Sequence, residues 1–311
     1  MAWRHSLIGI LCAIILLSAD TGYSQTGYSA LRQPVYAKAV GMSGAFTGQS
    51  GEVSSLLWNP AGLHGLNSLT GQISFQQHLT DVNATELLAG MPLWRGNAGI
   101  GIDYWNYGQF EQRDSQGNIT GNDVGAYETW LTAGYSYPLS KTASVGLSMQ
   151  LFHRNLADHT STILFWSLGW QRYYPEQKFG IGIVASHLGT RLGCGSLGSE
   201  PFPTQLMAGV TKQLAHLPLE LYLDTEYGIR ENSLRGIIGG EFTITDAENL
   251  FLRFGISSDR FRQQTQVVGA DFFAGSAFGL GIRLAGFQMD YALQTFGGAG
   301  TIHSVTLKTL P

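Results

Sequence analysis

The sequence predicts an all-β protein, a 14-stranded antiparallel transmembrane β-barrel with an N-terminal plug or hatch. Three observations predict it. Segments of about ten residues alternate apolar and polar side chains along most of the chain, with charged residues at mid-strand. The connections between these segments sort by length, short after even-numbered strands and longest after odd-numbered ones, as in bacterial outer-membrane barrels. Finally, charged residues are only 13% of the 311 residues, about half the share usual in soluble domains. Glycine accounts for 41 residues and mean hydropathy is only +0.02, which suits alternating strands and not a bundle of membrane helices.

The N-terminus reads as a secretory signal peptide over residues 1–24. Arg4 and His5 precede an apolar stretch from Leu7 to Leu17, and Gly22 and Ser24 suit cleavage before Gln25. Cys12 lies within the apolar stretch, which argues against a lipoprotein anchor. Removal of the signal leaves Cys194 alone, so neither a disulfide framework nor a cysteine metal cluster is expected. Residues 25–66 form a second unit, the hatch, and 67–311 the barrel.

Alternation is plainest late in the chain. In "LELYLDTEY", Leu219, Leu221 and Leu223 share one face while Glu220, Tyr222, Asp224 and Glu226 share the other. "LFLRFGIS" sets Leu250, Leu252, Phe254 and Ile256 against Phe251, Arg253, Gly255 and Ser257. Strands are expected near 69–78, 84–93, 97–107, 128–138, 142–153, 160–171, 178–188, 204–213, 218–227, 235–244, 249–257, 276–285, 287–296 and 302–310. A fifteenth candidate, 266–272, is assigned to an outer loop. The longest connections, 108–127, 189–203 and 258–275, all follow odd strands. Strands of this length suit a tilted span, and only a closed barrel satisfies every backbone group in lipid. Aromatics near strand ends, such as Trp94, Tyr137, Trp170 and Tyr174, suit interfacial girdles. The last strand departs from the pattern, ending Thr309-Leu310-Pro311 without a terminal aromatic.

Residues 27–66 do not alternate, and they are too apolar for a linker. Their centre is "LLWNPAGL". Pro60 cannot sit inside a paired strand, and Asn59 before it favours an extended or turn conformation. Within the hatch motif Trp58, Asn59, Pro60, Ala61, Gly62 and Leu63, we expect Trp58 and Leu63 to anchor the hatch against the inner wall, with Asn59-Pro60 making the turn between them. Asn59 would satisfy local N–H groups, and Gly62 would permit a positive φ.

"AVGMSGAFTG" followed by "LLWNPAGL" resembles the N-terminal signature of the PorV/PorQ proteins, relatives of the FadL outer-membrane transporters. "IGIVASHLGT", "PFPTQLMAGV", "GGEFTITDAENLFLRFGIS" and "FGLGIRLAGFQMDYAL…TIHSVTL" extend the resemblance over nearly the whole mature chain. It implies a fourteen-stranded barrel with a hatch, lying in the outer membrane of a Gram-negative bacterium with a periplasmic mature N-terminus. It also implies a role in type IX protein secretion, with outer-membrane lipids, type IX components and secreted cargo proteins as partners. The FadL relatives imply the alternative, a channel for hydrophobic solutes. One departure concerns the stretch Gly48-Gln49-Ser50-Gly51-Glu52, which has one acid where the family commonly has a pair.

No catalytic constellation is visible, and no cofactor or metal is expected. Ser148 and His153 fall on opposite faces of one strand; His187 and His303 lack partners at metal-ligand spacing. Gly99-Ile100-Gly101 precedes no helix, so phosphate binding is disfavoured. Lys and Arg are scattered, which gives no case for nucleic acid. Seven charges, Asp103, Asp224, Glu226, Glu241, Arg253, Arg283 and Asp290, are expected to face the lumen, either lining a solute path or pairing with one another. Phe110, Phe261, Phe272, Phe273 and Phe278 fall in or beside outer loops, as a surface site or as rim aromatics. A soluble secreted β-protein is disfavoured by the sorting of loop lengths.

Overall fold

The structure, a computed structural model, describes residues 29–114, 116–156, 159–194, 201–244, 249–261 and 271–310. The expected signal peptide lies outside the described residues, as do residues 266–270 of the ambiguous fifteenth strand. Fourteen strands form one closed antiparallel barrel in which each pairs with its sequence neighbours and the last pairs with the first. They are β1 Thr70–Gln77, β2 Asn83–Leu93, β3 Gly96–Arg113, β4 Ile119–Pro138, β5 Ala143–Leu156, β6 His159–Tyr174 and β7 Phe179–Cys194. The second half comprises β8 Gln205–Gln213, β9 Leu219–Gly228, β10 Ser233–Thr243, β11 Leu250–Ser257, β12 Ser276–Leu284, β13 Phe287–Thr295 and β14 Thr301–Thr309. Closure gives every described strand a partner on each side over the part of the wall that all fourteen share.

The alternation has a consistent sense, with polar residues inward and apolar residues outward. In β1, Gln72, Ser74 and Gln76 are buried while Ile73 and Phe75 are exposed. The same holds at Leu252 and Phe254, which are exposed about a buried Arg253. Exposed apolar positions continue around the barrel through Leu87, Ile102, Leu131, Met149, Ile183, Leu206, Leu280, Tyr291 and Leu307. No described helix is long and apolar enough to cross a membrane.

The connection expected at 108–127 is mostly strand. β3 runs to Arg113 and β4 starts at Ile119, with Gly108–Ala126, Gln109–Gly125 and Phe110–Val124 paired in register. The sequence hides this pairing because residues there are polar on both faces, so period 2 disappears although the backbone ladder continues. Register shifts between Asn106 and Gly108 and between Glu111 and Arg113 accompany it, and Gly108 adopts a φ of 90°. β7 likewise continues to Cys194, shortening the connection expected at 189–203. β3 to β7 have 14 to 20 residues against 8 to 11 elsewhere, so one wall projects at the end carrying the odd-numbered connections.

Inside runs the N-terminal segment. Near its start Arg32 pairs with Glu231, in the connection between β9 and β10, and the Pro34 carbonyl accepts from Gln76 Nε2 near the end of β1. At its other end the Leu66 carbonyl accepts from Asn97 Nδ2 at the start of β3. The segment therefore runs the length of the lumen, from the odd-connection end to the end where β1 begins. Residues 25–28 lie outside the described residues, and residues 31–35 sit at the end opposite the expected periplasmic one.

The wall is shaped to take it. A Cβ built on Gly146 would lie 2.2 Å from the Ala61 nitrogen, and one on Gly255 would lie 2.2 Å from the Met42 carbonyl carbon. Neither contact is tolerable, so only glycine lets the two backbones meet. Gly255→Val should force Met42-Ser43 off the wall while leaving the β10–β11 ladder intact. Hydrogen exchange should show at least tenfold faster exchange at residues 42–45 and unchanged protection in β10. Unchanged exchange at 42–45 would contradict the packing.

Candidate functional site

Asn59-Pro60-Ala61-Gly62-Leu63 lies at the crossing of segment and wall. Ser55–Trp58 forms one helical turn, Asn59 breaks it at φ −142°, and Pro60–Leu63 forms a 3-10 turn with Pro60 at its first position. Proline loses nothing there, because that N–H would have no partner within the turn. Asn59 is fully buried and uses both ends of its amide. Its Oδ1 accepts from Ala61 N at 3.2 Å; its Nδ2 donates to the Thr47 carbonyl at 3.1 Å and to the Trp170 carbonyl on β6 at 3.2 Å. One side chain thus ties the turn, an earlier stretch of the segment and the wall. Ser144 Oγ on β5 adds a bond to the Ala61 carbonyl at 2.9 Å.

Two expectations at this motif need correction. Trp58 is only half-buried and leans on the segment itself: its ring lies 5.4 Å from Phe46 and its Nε1 donates to the Gly44 carbonyl at 3.2 Å. The wall anchors are Leu56 and Leu63, both fully buried with Val53, Leu66 and Leu88. Gly62 does not adopt a positive φ. A Cβ there would meet the Gln49 carbonyl oxygen at 2.5 Å and Ser55 Oγ at 2.8 Å, so close approach is what requires glycine. Two-residue turn chemistry and close packing select the same residue type, and the sequence does not distinguish them.

Six of the seven charges singled out from sequence are buried in the lumen; Arg283 is exposed beside the 285–286 corner. Arg283 stands 4.9 Å over the Phe251 ring and reaches Gln288 Oε1 at 3.4 Å. Arg253 joins Glu241 at 2.5 Å and Asp290 at 2.7 Å. Lys38 of the segment reaches Glu241 at 3.3 Å and Glu52 at 3.4 Å, and Glu52 meets Lys308 on β14 at 2.6 Å. Burial opposes ionisation of Glu52, but the ammonium groups of Lys308 and Lys38 outweigh it and hold its carboxyl down at about 2. The single acid of this stretch therefore stays charged at neutral and mildly acidic pH. Asp224 accepts from the Phe46 and Thr47 N–H groups at 2.8 Å each, and Glu226 pairs with Arg235 at 3.0 Å. Asp103 stands apart: it is 1% exposed and its Oδ2 has no partner.

An inward aromatic ladder was not visible in the sequence. Trp105, Trp130, Phe152 and Phe165, on β3 to β6, lie with successive centroids 6.0, 6.1 and 6.0 Å apart. They occupy inward positions that are polar elsewhere along the same strands, so a face-by-face reading averages them away. Val35 and Leu31 of the segment cover them. The ladder ends at His187, whose ring meets Phe165 at 5.9 Å. His187 has a φ of 53°, and a register shift between Trp166 and Leu168 lets both Ser186 and His187 turn inward. Alternation allows only one of two adjacent residues inside, so this placement also escaped the sequence.

Between the ladder and the segment is a cavity of about 60 Å³. Glu86, Asp103, Trp130, His187 and Gln205 line it from the wall, Leu31 to Val35 and Trp58 from the segment. Among the described residues no group of three His, Cys, Asp or Glu side chains is placed to hold a metal ion. His303 bonds the Tyr291 hydroxyl at 2.8 Å, and His153 bonds Thr162 Oγ1 at 3.1 Å. Phe272 and Phe273 are exposed and meet edge to face at 5.0 Å; Phe110 is exposed near the β3 tip, and Phe278 points outward from β12. The side chain of Phe261 lies outside the described residues.

No family profile and no curated protein matches the chain. Solved structures do. The Pseudomonas putida toluene transporter TodX superposes with a TM-score of 0.56 at 12% identity, over 93% of this chain and 98% of that one. A Pseudomonas aeruginosa FadL homologue gives 0.56 at 10% identity, over 89% and 98%. The CymD monoaromatic hydrocarbon channel gives 0.55 at 11%, over 88% and 96%. At these identities the likeness is one of fold: the chain shares the closed-barrel architecture of these structures.

The corrected anchoring of the motif is testable by substitution. Asn59→Ala strands the Thr47 and Trp170 carbonyls and the Ala61 N–H, and should cost about 3 kcal/mol at roughly 1 kcal/mol per lost bond. Trp58→Ala should cost clearly less than the 3–5 kcal/mol of a fully buried tryptophan. Unfolding titrations that rank Trp58 above Asn59 would reverse this assignment.

Proposed function

We propose that the protein is an outer-membrane channel for small hydrophobic solutes, with residues 35–66 as its plug and residues 31–35 as the cover of its binding surface. The observation that carries this reading is the aromatic ladder. Four inward rings on adjacent strands, buried under Val35 and Leu31, form an apolar surface that displacement of those two residues would open as a path. The apolar outer face supports the membrane location, since a closed barrel with that polarity satisfies its backbone in lipid and keeps its charges inside. The fold neighbours named a toluene transporter and a hydrocarbon channel agree with the reading. No step here is catalytic; solutes would be bound and passed on.

A second reading is favoured by Phe272 and Phe273. Their exposed edge-to-face pair lies in the connection between β11 and β12 and would suit contact with another protein. That is the kind of surface the type IX secretion role, implied by the PorV/PorQ resemblance, would use.

Two measurements test these statements. Uptake of labelled toluene should be followed in a host whose outer membrane bears lipopolysaccharide, with the chain present, absent or carrying Trp130→Glu. Expression should raise uptake, and the substitution should lower it at least tenfold at equal amounts of folded barrel. If uptake never changes, and deleting the gene in its own host leaves type IX cargo trapped in the periplasm, the secretion role replaces the channel. The membrane register is tested at Leu252, where arginine near the bilayer midplane should cost about 2–4 kcal/mol in vesicle unfolding titrations. A cost near zero would place that face outside lipid.

A further inference from the structure

A buried donor and a buried acceptor stand at facing positions of the inner wall, and neither uses the other. Asp103 on β3 is in register with Trp130 on β4, and both side chains turn inward. Directly opposite residues on one face hold their Cβ atoms roughly 4.5–5.5 Å apart. Trp130 Nε1 can only donate, and Asp103 Oδ2, a carboxylate oxygen, can only accept. Neither has a partner, although the residues are 4% and 1% exposed. Leaving either atom unbonded in a buried setting is costly, so the pair needs a third group between them. On its other side Asp103 faces Glu86 of β2, which already accepts from Gln72 and Ser74.

Both residues line the cavity beneath residues 31–35, and that lining is mixed in character. Its Arg32 is paired with Glu231 and its Glu226 with Arg235. Gln205 Nε2 and His187 Nδ1, also without partners, face the same space from β8 and β7. A cation would satisfy Asp103 and strand the indole N–H, and an anion would meet Asp103 and Glu86. A neutral hydroxyl serves both atoms, because it donates one hydrogen and accepts at two lone pairs. Beside this polar corner lies the ladder, of which Trp130 is itself a member, under Val35 and Leu31. We infer that the cavity takes the hydroxyl of a phenol, accepting from Trp130 Nε1 and donating to Asp103 Oδ2, with the ring laid on the ladder in place of Leu31 and Val35. The volume suits that division. At about 60 Å³ the cavity is well below the roughly 150 Å³ that holds a benzene ring, so the hydroxyl enters it and the ring takes the place of side chains. A phenol, like the tyrosine side chain, is neutral up to about pH 10 and brings no charge beside the two carboxylates. As a statement about which solutes the channel selects, this rests on the channel reading above; the binding itself does not.

Purified full-length protein in detergent should be titrated at pH 7 with phenol, toluene and anisole by calorimetry, with detergent alone as the blank. The three probes share one ring; toluene carries a methyl for the hydroxyl, and anisole can accept but not donate. Phenol should bind saturably and at least tenfold more tightly than either, because a site built to bond a hydroxyl is left with unpaired groups by an analogue lacking it. Trp130→Phe keeps a ring and removes the N–H, and Asp103→Leu keeps the volume and removes the acceptor. Each should lower phenol affinity at least tenfold, with strand content by circular dichroism unchanged. Leu31→Ala, which clears part of the ladder, should raise phenol affinity at least threefold. Should Asp103→Leu fail to fold, the three probes on the unaltered protein and Trp130→Phe decide. Equal binding of phenol and toluene, or no saturable phenol binding, would make the space a water-filled polar cavity. Equal binding of phenol and anisole would remove the carboxylate, and unaltered phenol affinity in folded Trp130→Phe would remove the indole; each of these outcomes overturns the inference. Toluene uptake separates the two proposals. Uptake of toluene without a preference for phenol leaves the channel and removes the hydroxyl pocket, and phenol preference without uptake of either solute does the reverse.

Discussion

Fourteen strands enclose more space than wall side chains can fill, since about eight already leave an interior just wide enough for them. That excess is the constraint on which the rest of the molecule depends. The chain answers it with residues 31–66, largely irregular backbone whose polar groups must find partners at barrel depth. Asn59, Asp224, Ser144 and Gln171 provide them: each wall side chain bonds main chain of the segment, and Asn59 returns a bond to the wall. Glycines on the wall serve the same end from the other side, by removing the Cβ atoms that would hold the two backbones apart.

Charge follows from the same constraint. A polar lumen packed with protein is poorly hydrated, so its carboxylates are neutralised by neighbours or by oriented N–H groups. Lys38 and Glu52 place one charge of each sign on the segment, and Glu241, Arg253, Asp290 and Lys308 place the complements on β10, β11, β13 and β14. The pairing specifies position as well as stability, because a shift of the segment by one residue would separate several pairs at once. The Glu86–Asp103 pair falls outside this arrangement and lies where the segment leaves space.

The barrel was legible because its two signals are local. Alternation reports which face meets apolar surroundings, and brief connections report antiparallel neighbours; together they located all fourteen strands within a few residues, apart from the β3, β4 and β7 extensions. Those extensions leave the region where one face must be apolar, so nothing in residues 108–127 distinguishes paired backbone from loop. The inner surface was less legible. Arg253 and Asp290 could be assigned to the lumen from parity, but their partnership depends on β11 and β13 flanking the glycines of β12, which parity does not report. Trp105, Trp130, Phe152 and Phe165 share a level of the barrel only through the stagger of four strands. His187 faces inward because of a bulge, and a bulge is invisible to any rule of period 2.

The path of the segment bears on how such a barrel is built. β1 and β14 are the two ends of the wall, and their pairing converts a curled sheet into a closed one. Both hold the segment: Gln76 bonds the Pro34 carbonyl and Gln72 accepts from Ser54 on one side, while Thr306 accepts from the Ala37 N–H and Lys308 meets Glu52 on the other. The segment therefore bridges the seam from within, as a strap held by one edge strand on each side.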